Sequence, residues 1–192
     1  MSDKNYIEIF KKTGALLEGH FVLTSGRHSP SYFQCAKVLQ YPEHLSLFSQ
    51  KISHHFNGFY IDTVISPAVG GIVIGTEVGR AMDKRTIFAE REKGKMTLRR
   101  GFEIVSGEKV LVVEDVITTG GSVKEVMDVV EASDGEVVGV AVIVDRSNGA
   151  VVLHRNQFSL VPMEVLSYEE SKIPKELEAI PTTKPGSRSL KK

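Results

Sequence analysis
The stretch from Val110 to Val123, VLVVEDVITTGGSV, constrains this chain more than any other. Val110 to Val113 form a short apolar run, largely β-branched, of the kind found in strands covered on both faces. Glu114 and Asp115 fall where that strand is expected to end. Val116 to Gly121 then supply a tight turn whose glycines let backbone amides approach an anion closely. Ser122, with Glu125 three residues later, reads as a capping box, and Val123, Val126, Met127 and Val130 mark one face of a helix. An anion in this turn would lie at a helix N-terminus, where unpaired N–H groups and the helix dipole both favour negative charge. The stretch is, in outline, a grip for a phosphate and a ribose.

A Gly-rich strand-to-helix turn is also an ordinary βα connection, so the string must be read whole. No lysine follows Gly121, which excludes the Walker A pattern, and G-x-G-x-x-G is absent, so a dinucleotide fold has no fingerprint here. The chain has 192 residues, enough for one domain with a substantial core and a small subdomain beside it. Lysine plus arginine and aspartate plus glutamate are 24 each, so no global field draws the chain to nucleic acid or an anionic membrane. The single cysteine, Cys35, excludes an internal disulfide framework and fits a reducing compartment. The N-terminus has no apolar run of signal-peptide type, and no segment approaches the ~20 apolar residues of a membrane span. A cytoplasmic protein is expected.

Along the chain, Asp3 to Leu17 reads as an amphipathic opening helix ending near Gly19. HFVLT and SYFQC, within His20 to Cys35, read as short extended pieces that build a small flap around the turn SGRHSP. Pro42 suits the first turn of a helix, continued by Leu45, Phe48, Ile52 and Phe56 and stopped at Asn57-Gly58. Asp62 to Ser66 is a strand candidate running into PAVGG. Gly71 to Met82 is an apolar core helix whose Gly75 and Gly79 allow close packing. Arg85 to Glu90 is a further strand, and Glu92 to Arg100, EKGKMTLRR, reads as a mobile basic loop that could reach ~30 Å if extended. Glu136 to Asp145 and Phe158 to Leu166 are two more strands, Tyr168 to Leu177 a last short helix, and PTTKPGSRSLKK a solvated tail. Continuous apolar strands alternating with helices predict an α/β fold with a doubly wound, mostly parallel sheet. Ligands of such sheets sit beyond the carboxyl ends of the strands. Ser66-Pro67, Glu90-Arg91, Glu114-Asp115 and Asp145-Arg146 should therefore converge on one crevice.

Over all fourteen residues VLVVEDVITTGGSV resembles the PRPP-binding motif of type I phosphoribosyltransferases. The resemblance implies that Glu114 and Asp115 meet the ribose hydroxyls while Val116, Ile117, Thr118, Thr119, Gly120, Gly121 and Ser122 cradle the 5-phosphate. SPAVGG resembles the pyrophosphate loop of that family, on Ala68, Val69, Gly70 and Gly71. The basic stretch resembles its catalytic flexible loop. Aligned from Arg91 without a gap, the lysine that stabilises departing pyrophosphate falls on Lys95, with Lys93 close enough to compete and Thr97 where many relatives have histidine. An ammonium on a flexible stem suits charge that develops in a transition state.

FVLTSGRHSPSYF, Phe21 to Phe33, resembles the N-terminal hood (about residues 1–40) of orotate phosphoribosyltransferases, which implies base contacts from Tyr32 and Phe33. VDRSNG, Val144 to Gly149, resembles the place where that family offers an arginine to the orotate carboxylate; Arg146 fits because a guanidinium grips a carboxylate with two parallel hydrogen bonds, and the resemblance places Thr118 at the orotate as well. Thr24 stands at a hood position where many relatives carry a PRPP-contacting lysine. The resemblance covers about residues 5 to 170, within a single domain expected over 1–180 and followed by a flexible tail, 181–192. It implies the transfer of a phosphoribosyl group from PRPP to orotate, with magnesium held mainly through PRPP and water rather than by protein ligands, in a homodimer whose flexible loop serves the partner's site. Two rivals share the PRPP grip. A purine or uracil phosphoribosyltransferase predicts a different hood and leaves Arg146 without a carboxylate, and a PRPP-sensing regulator needs an added DNA-binding domain or a strongly basic face.

Overall fold
The structure, a computed structural model, describes residues 3–23 and 25–184; Thr24 and the tail beyond 184 lie outside the described residues. The chain divides into two compact units, one drawn from Met1–Val38 and Glu164–Lys192, the other from Leu39–Met163.

The first unit opens with helix α1 (Asp3–Lys12), shorter than the sequence suggests. Gly14, at φ 69, stops it in a conformation that other residues avoid, and Leu16 and Leu17 belong instead to strand β1 (Leu16–Val22). β1 pairs antiparallel with β2 (His28–Phe33), and helix α2 (Ala36–Leu39) follows. Phe10 of α1 meets the Phe33 ring edge-on at 5.0 Å, which makes Phe33 a core residue of this unit. Tyr32 is half-buried and lies 5.8 Å from the Phe21 ring.

The second unit begins with α3 (Pro42–His55), with proline at its first turn as expected, and continues through β3 (Thr63–Pro67), α4 (Gly70–Met82), β4 (Arg85–Glu92) and β5 (Lys95–Leu98). β6 (Lys109–Ile117), α5 (Gly121–Ala132), β7 (Glu136–Asp145) and β8 (Gln157–Pro162) complete it. The strand order is β5-β4-β3-β6-β7-β8, all parallel except the edge strand β5, so the doubly wound, mostly parallel sheet is present. Val110 to Val113 and Val140 to Val144 are wholly buried, because helices cover both faces of these central strands. Alternation assigns the faces: Ile65, Ile87 and Val112 join Val123, Val126 and Val130 of α5, whereas Ser66 and Thr86 turn to α4.

Gly71, Gly75 and Gly79 form the stripe on α4 that makes this close approach possible. A Cβ on Gly75 would stand 1.9 Å from Ser66 Oγ, and one on Gly79 1.8 Å from Thr86 Oγ1. Two expectations change here. β6 does not end before Glu114 but runs on to Ile117, carrying the acidic pair within the ladder to β7. The expected mobile loop from Glu92 to Arg100 is an antiparallel hairpin of β4 and β5, turned at Lys93 (φ 50) and Gly94 (φ 85). Consecutive positive φ values suit the twist of a two-residue hairpin, and the K-G pair hid this turn among the charges. The Glu90 carboxylate accepts two bonds from Arg100 at 2.7 and 2.8 Å, and the same guanidinium lies over the Phe88 ring.

The chain then returns to the first unit. His28 and Tyr168 exchange two backbone bonds, and Arg27 donates to Ser167 Oγ at 2.9 Å and Ser167 O at 2.6 Å. A 3₁₀ turn (Glu170–Lys172) and helix α6 (Lys175–Glu178) replace the single helix expected over Tyr168 to Leu177. Thr182–Thr183, expected in a solvated tail, form strand β9 beside β1. The buried His20 binds Ile180 O through Nδ1 (3.1 Å) and His28 Nδ1 through Nε2 (2.6 Å). A carbonyl only accepts, so His20 Nδ1 carries the proton.

Candidate active site
Four strand ends of the second unit come into register as the sequence requires. Pro67 pairs with Ala89, Ile65 with Val112, and Ile117 with Asp145, and Ala68 N donates to Ala89 O at 2.8 Å. The loop SPAVGG therefore stands between the ends of β4 and β6. Its Val69 is 80% exposed, and α4 begins immediately after it at Gly70.

The acidic pair is seated directly against that helix start. A Cβ on Gly70 would lie 2.9 Å from both Asp115 carboxylate oxygens, and one on Gly71 would lie 2.9 Å from Glu114 Oε1 and 3.1 Å from Val113 O. Glycine is needed here for close approach rather than for an unusual φ. Glu114 is 7% exposed, accepts from Asp115 N at 3.1 Å, and is pushed up to about 9 by burial and then by the neighbouring Asp115 carboxylate. Asp115 accepts from Val116 N at 2.8 Å, and burial raises its carboxyl as well. Two carboxylates so placed are held short of hydrogen-bond donors, and a diol can supply them.

Beyond the pair, Glu114 and Val116 to Val123 line an open cavity. Thr118, Thr119 and Gly121 are exposed in it, while Gly120 is buried at φ 74 as the N-terminal cap of α5. The capping box expected from Ser122 and Glu125 is not made: the cap is Gly120, with no side-chain bond. The backbone amides of the first turn therefore stay available to an anion. A Cβ on Gly120 would strike Leu153 at 2.8 Å and Val151 at 3.0 Å, so the segment after β7 shapes the loop from outside. That long-range contact had no sequence signal.

Asp145, wholly buried, does not face a ligand but organises the turn that follows it. Its carboxylate accepts from Ser147 N, Ser147 Oγ and Gly149 N at 2.6 to 3.0 Å. Arg146 N donates to Ile117 O at 2.9 Å, which sets the Arg146 backbone beside Thr118.

Arg91 and Lys95 are brought to helix α5 instead, and Lys93 stands exposed at the hairpin turn. Arg91 Nη1 lies 2.7 Å from Glu125 Oε2 and donates to Glu125 Oε1 at 3.1 Å. Lys95 and Met96 share an open cavity with Glu125, Asp128, Val129 and Ala132. Neither lysine lines the cavity at the phosphate loop. Glu125 is the residue that sequence reasoning misassigned, because its spacing from Ser122 satisfied a local motif while its partner lay 34 positions away.

Residues 43–161 match the family model described as phosphoribosyl transferase domain. The chain is 60% identical over 189 residues to the orotate phosphoribosyltransferase of Chlorobaculum parvum and 57% identical over 189 residues to that of Chlorobium phaeobacteroides, covering 98% of both chains in each case. Among solved structures, the orotate phosphoribosyltransferase from Aeropyrum pernix superposes with a TM-score of 0.65 at 27% identity, over 81% of this chain and 92% of that one. A strand-end acidic pair, a glycine-capped anion loop and full-length identity of this order lead to one conclusion: the chain belongs to the orotate phosphoribosyltransferase family, on the phosphoribosyl transferase domain fold.

Proposed function
We infer that this chain transfers the phosphoribosyl group of PRPP to orotate, giving orotidine 5′-phosphate and pyrophosphate, a step of pyrimidine biosynthesis. The carrying observation is the 60% identity over nearly the whole length of a curated orotate phosphoribosyltransferase. The decisive assay offers orotate, uracil, hypoxanthine and adenine separately with PRPP and magnesium and follows base consumption. Orotate alone should be consumed, and turnover of a purine instead would overturn the reading.

The residues supply a coherent division of labour. Glu114 and Asp115 accept hydrogen bonds from the ribose hydroxyls and fix the ring. Amides and hydroxyls of Val116, Ile117, Thr118, Thr119, Gly120, Gly121 and Ser122 hold the 5-phosphate at the start of α5. Ala68, Val69, Gly70 and Gly71 meet the pyrophosphate at the start of α4, and Lys95, Lys93 and Arg91 add cationic charge as it leaves. Arg146 takes the orotate carboxylate with Thr118 beside it, and Tyr32 of the hood supplies an aromatic contact to the base; Phe33, expected to share that role, is buried against Phe10 and is left to the core of its own unit. The ring nitrogen of orotate displaces pyrophosphate at the anomeric carbon through an oxocarbenium-like state, so catalysis rests on positioning and preorganised charge rather than on a covalent nucleophile.

Magnesium fits this donor set as a companion of the substrate. The ion sheds water reluctantly and is held mainly through PRPP and water, with the hard carboxyl oxygens of Glu114 and Asp115 suited to stand beside it. When bound, the ion supplies neutralising charge to the diphosphate. A homodimer in which the hairpin serves the partner's site, in the cytoplasm, completes the proposal. No helix among the described residues is long and apolar enough to cross a membrane.

Lys95→Ala should cut kcat by roughly 10²-fold or more, with a much smaller change in orotate KM. An equal rate would move the role to Lys93. Arg146→Ala should raise the orotate KM well before it alters PRPP binding, since the site loses the group built to pair a carboxylate.

A further inference from the structure
The hairpin of β4 and β5 is a unit in its own right. Four paired positions, from Ala89↔Leu98 to Glu92↔Lys95, and the Glu90–Arg100 bridge at its root hold it together internally. Its attachment to α5 is of another kind: the Arg91–Glu125 ion pair, and the cavity wall where Lys95 and Met96 face Glu125, Asp128 and Val129. The ion pair is close but imperfect. Glu125 Oε2 lies 2.7 Å from Arg91 Nη1 yet is buried without a well-directed hydrogen bond, while Oε1 receives the bond at 3.1 Å. Both side chains remain more than a third exposed, so the pair contributes little and exchanges readily. Glu125 also stands only three residues beyond Ser122, about 4.5 Å along the axis from the end of the phosphate loop. The guanidinium that the proposed reaction uses on pyrophosphate is thus occupied by a carboxylate of the helix that holds the 5-phosphate.

We propose that Glu125 is a positioning residue: by pairing with Arg91 it holds the hairpin and its lysines down along α5 of its own chain, and the arginine exchanges this carboxylate for the diphosphate of the substrate bound at the partner's site. The exchange involves no covalent step. The stored arrangement competes with the engaged one, so PRPP binding works against the Glu125 contact, and leaving pyrophosphate restores it. This inference rests on the proposed orotate phosphoribosyltransferase reaction.

The test uses the full chain with Glu125→Gln, which keeps shape and removes charge, alone and combined with Arg91→Ala. Amide hydrogen exchange over Glu92 to Leu98 in the ligand-free protein reads the hairpin, and steady-state kinetics read the reaction. Glu125→Gln should speed that exchange and lower the PRPP KM, each by roughly two- to fivefold, the range of an exposed ion pair, with the orotate KM unchanged. In the Arg91→Ala background the same substitution should change neither. Unaltered exchange and KM in the single variant, or a full effect that persists without Arg91, overturns the proposal. If the wild-type chain fails to turn over orotate, the reaction is wrong, and the exchange experiment still decides the Glu125 contact by itself.

Discussion
Glu114 carries the clearest pH signature in the molecule. Burial against α4, together with the Asp115 charge, pushes its carboxyl up to about 9, whereas an unfolded glutamate titrates near 4.3. Between those values the folded chain binds a proton that the unfolded chain has released. Stability of the ligand-free protein therefore falls as pH rises through this window, by at most about 1.4 kcal/mol per pH unit, and levels off above it. Asp115 is shifted in the same direction by burial. Melting temperature followed from pH 6 to pH 8.5 should decline in the wild type and decline less in Glu114→Gln. A slope that the substitution leaves untouched would assign the titration elsewhere. Ribose hydroxyls donate to the ionised pair, so PRPP should bind more tightly as pH rises over the same interval.

At the scale of elements, the glycine stripe of α4 and the hairpin give separate predictions. Gly71→Ala puts a Cβ among Glu114 Oε1, Val113 O and Pro67 Cδ, all at 2.9 to 3.2 Å, and the backbone oxygen cannot rotate away. Overpacking of this kind costs about 1–3 kcal/mol, and displacement of Glu114 should weaken PRPP binding too, measured by urea unfolding and by KM. Arg100→Ala removes the bidentate partner of Glu90 at the hairpin root; limited trypsin digestion should then cut after Lys93 or Lys95 faster than in the wild type. Most strands and the three main helices, α3, α4 and α5, were legible because apolar periodicity and β-branched runs report burial locally. The hairpin was not, since its pairing is between backbone groups and its side chains read as an unpatterned charge run. Glu125 misled for the related reason that a capping box is a four-residue signal, and nothing within four residues reveals Arg91.

For the whole molecule, the sequence carried the strand order's consequence better than its detail. Apolar strands alternating with helices implied a crevice at the carboxyl ends, and the register of Pro67, Ile65 and Ile117 with their neighbours aligns those ends. What stayed hidden was the return of the C-terminal segment: β9 is two residues long, and its partner β1 lies some 160 positions earlier. Deleting the chain from Pro181 onward removes that strand. Hydrogen exchange should then rise across Leu16–Val22 while the amides of β6 and β7 keep their protection, and uniform loosening would contradict the division into two units.

The discontinuity of the first unit also orders events during synthesis. Leu39–Met163 is contiguous and can bury its own sheet as soon as it clears the ribosome. β1 and β2 emerge earlier, yet the Ile180 carbonyl that accepts from His20, and the strand that flanks β1, are made last. The segment translated first must therefore wait for the segment translated almost at the end, with one edge of β1 uncovered in the interval.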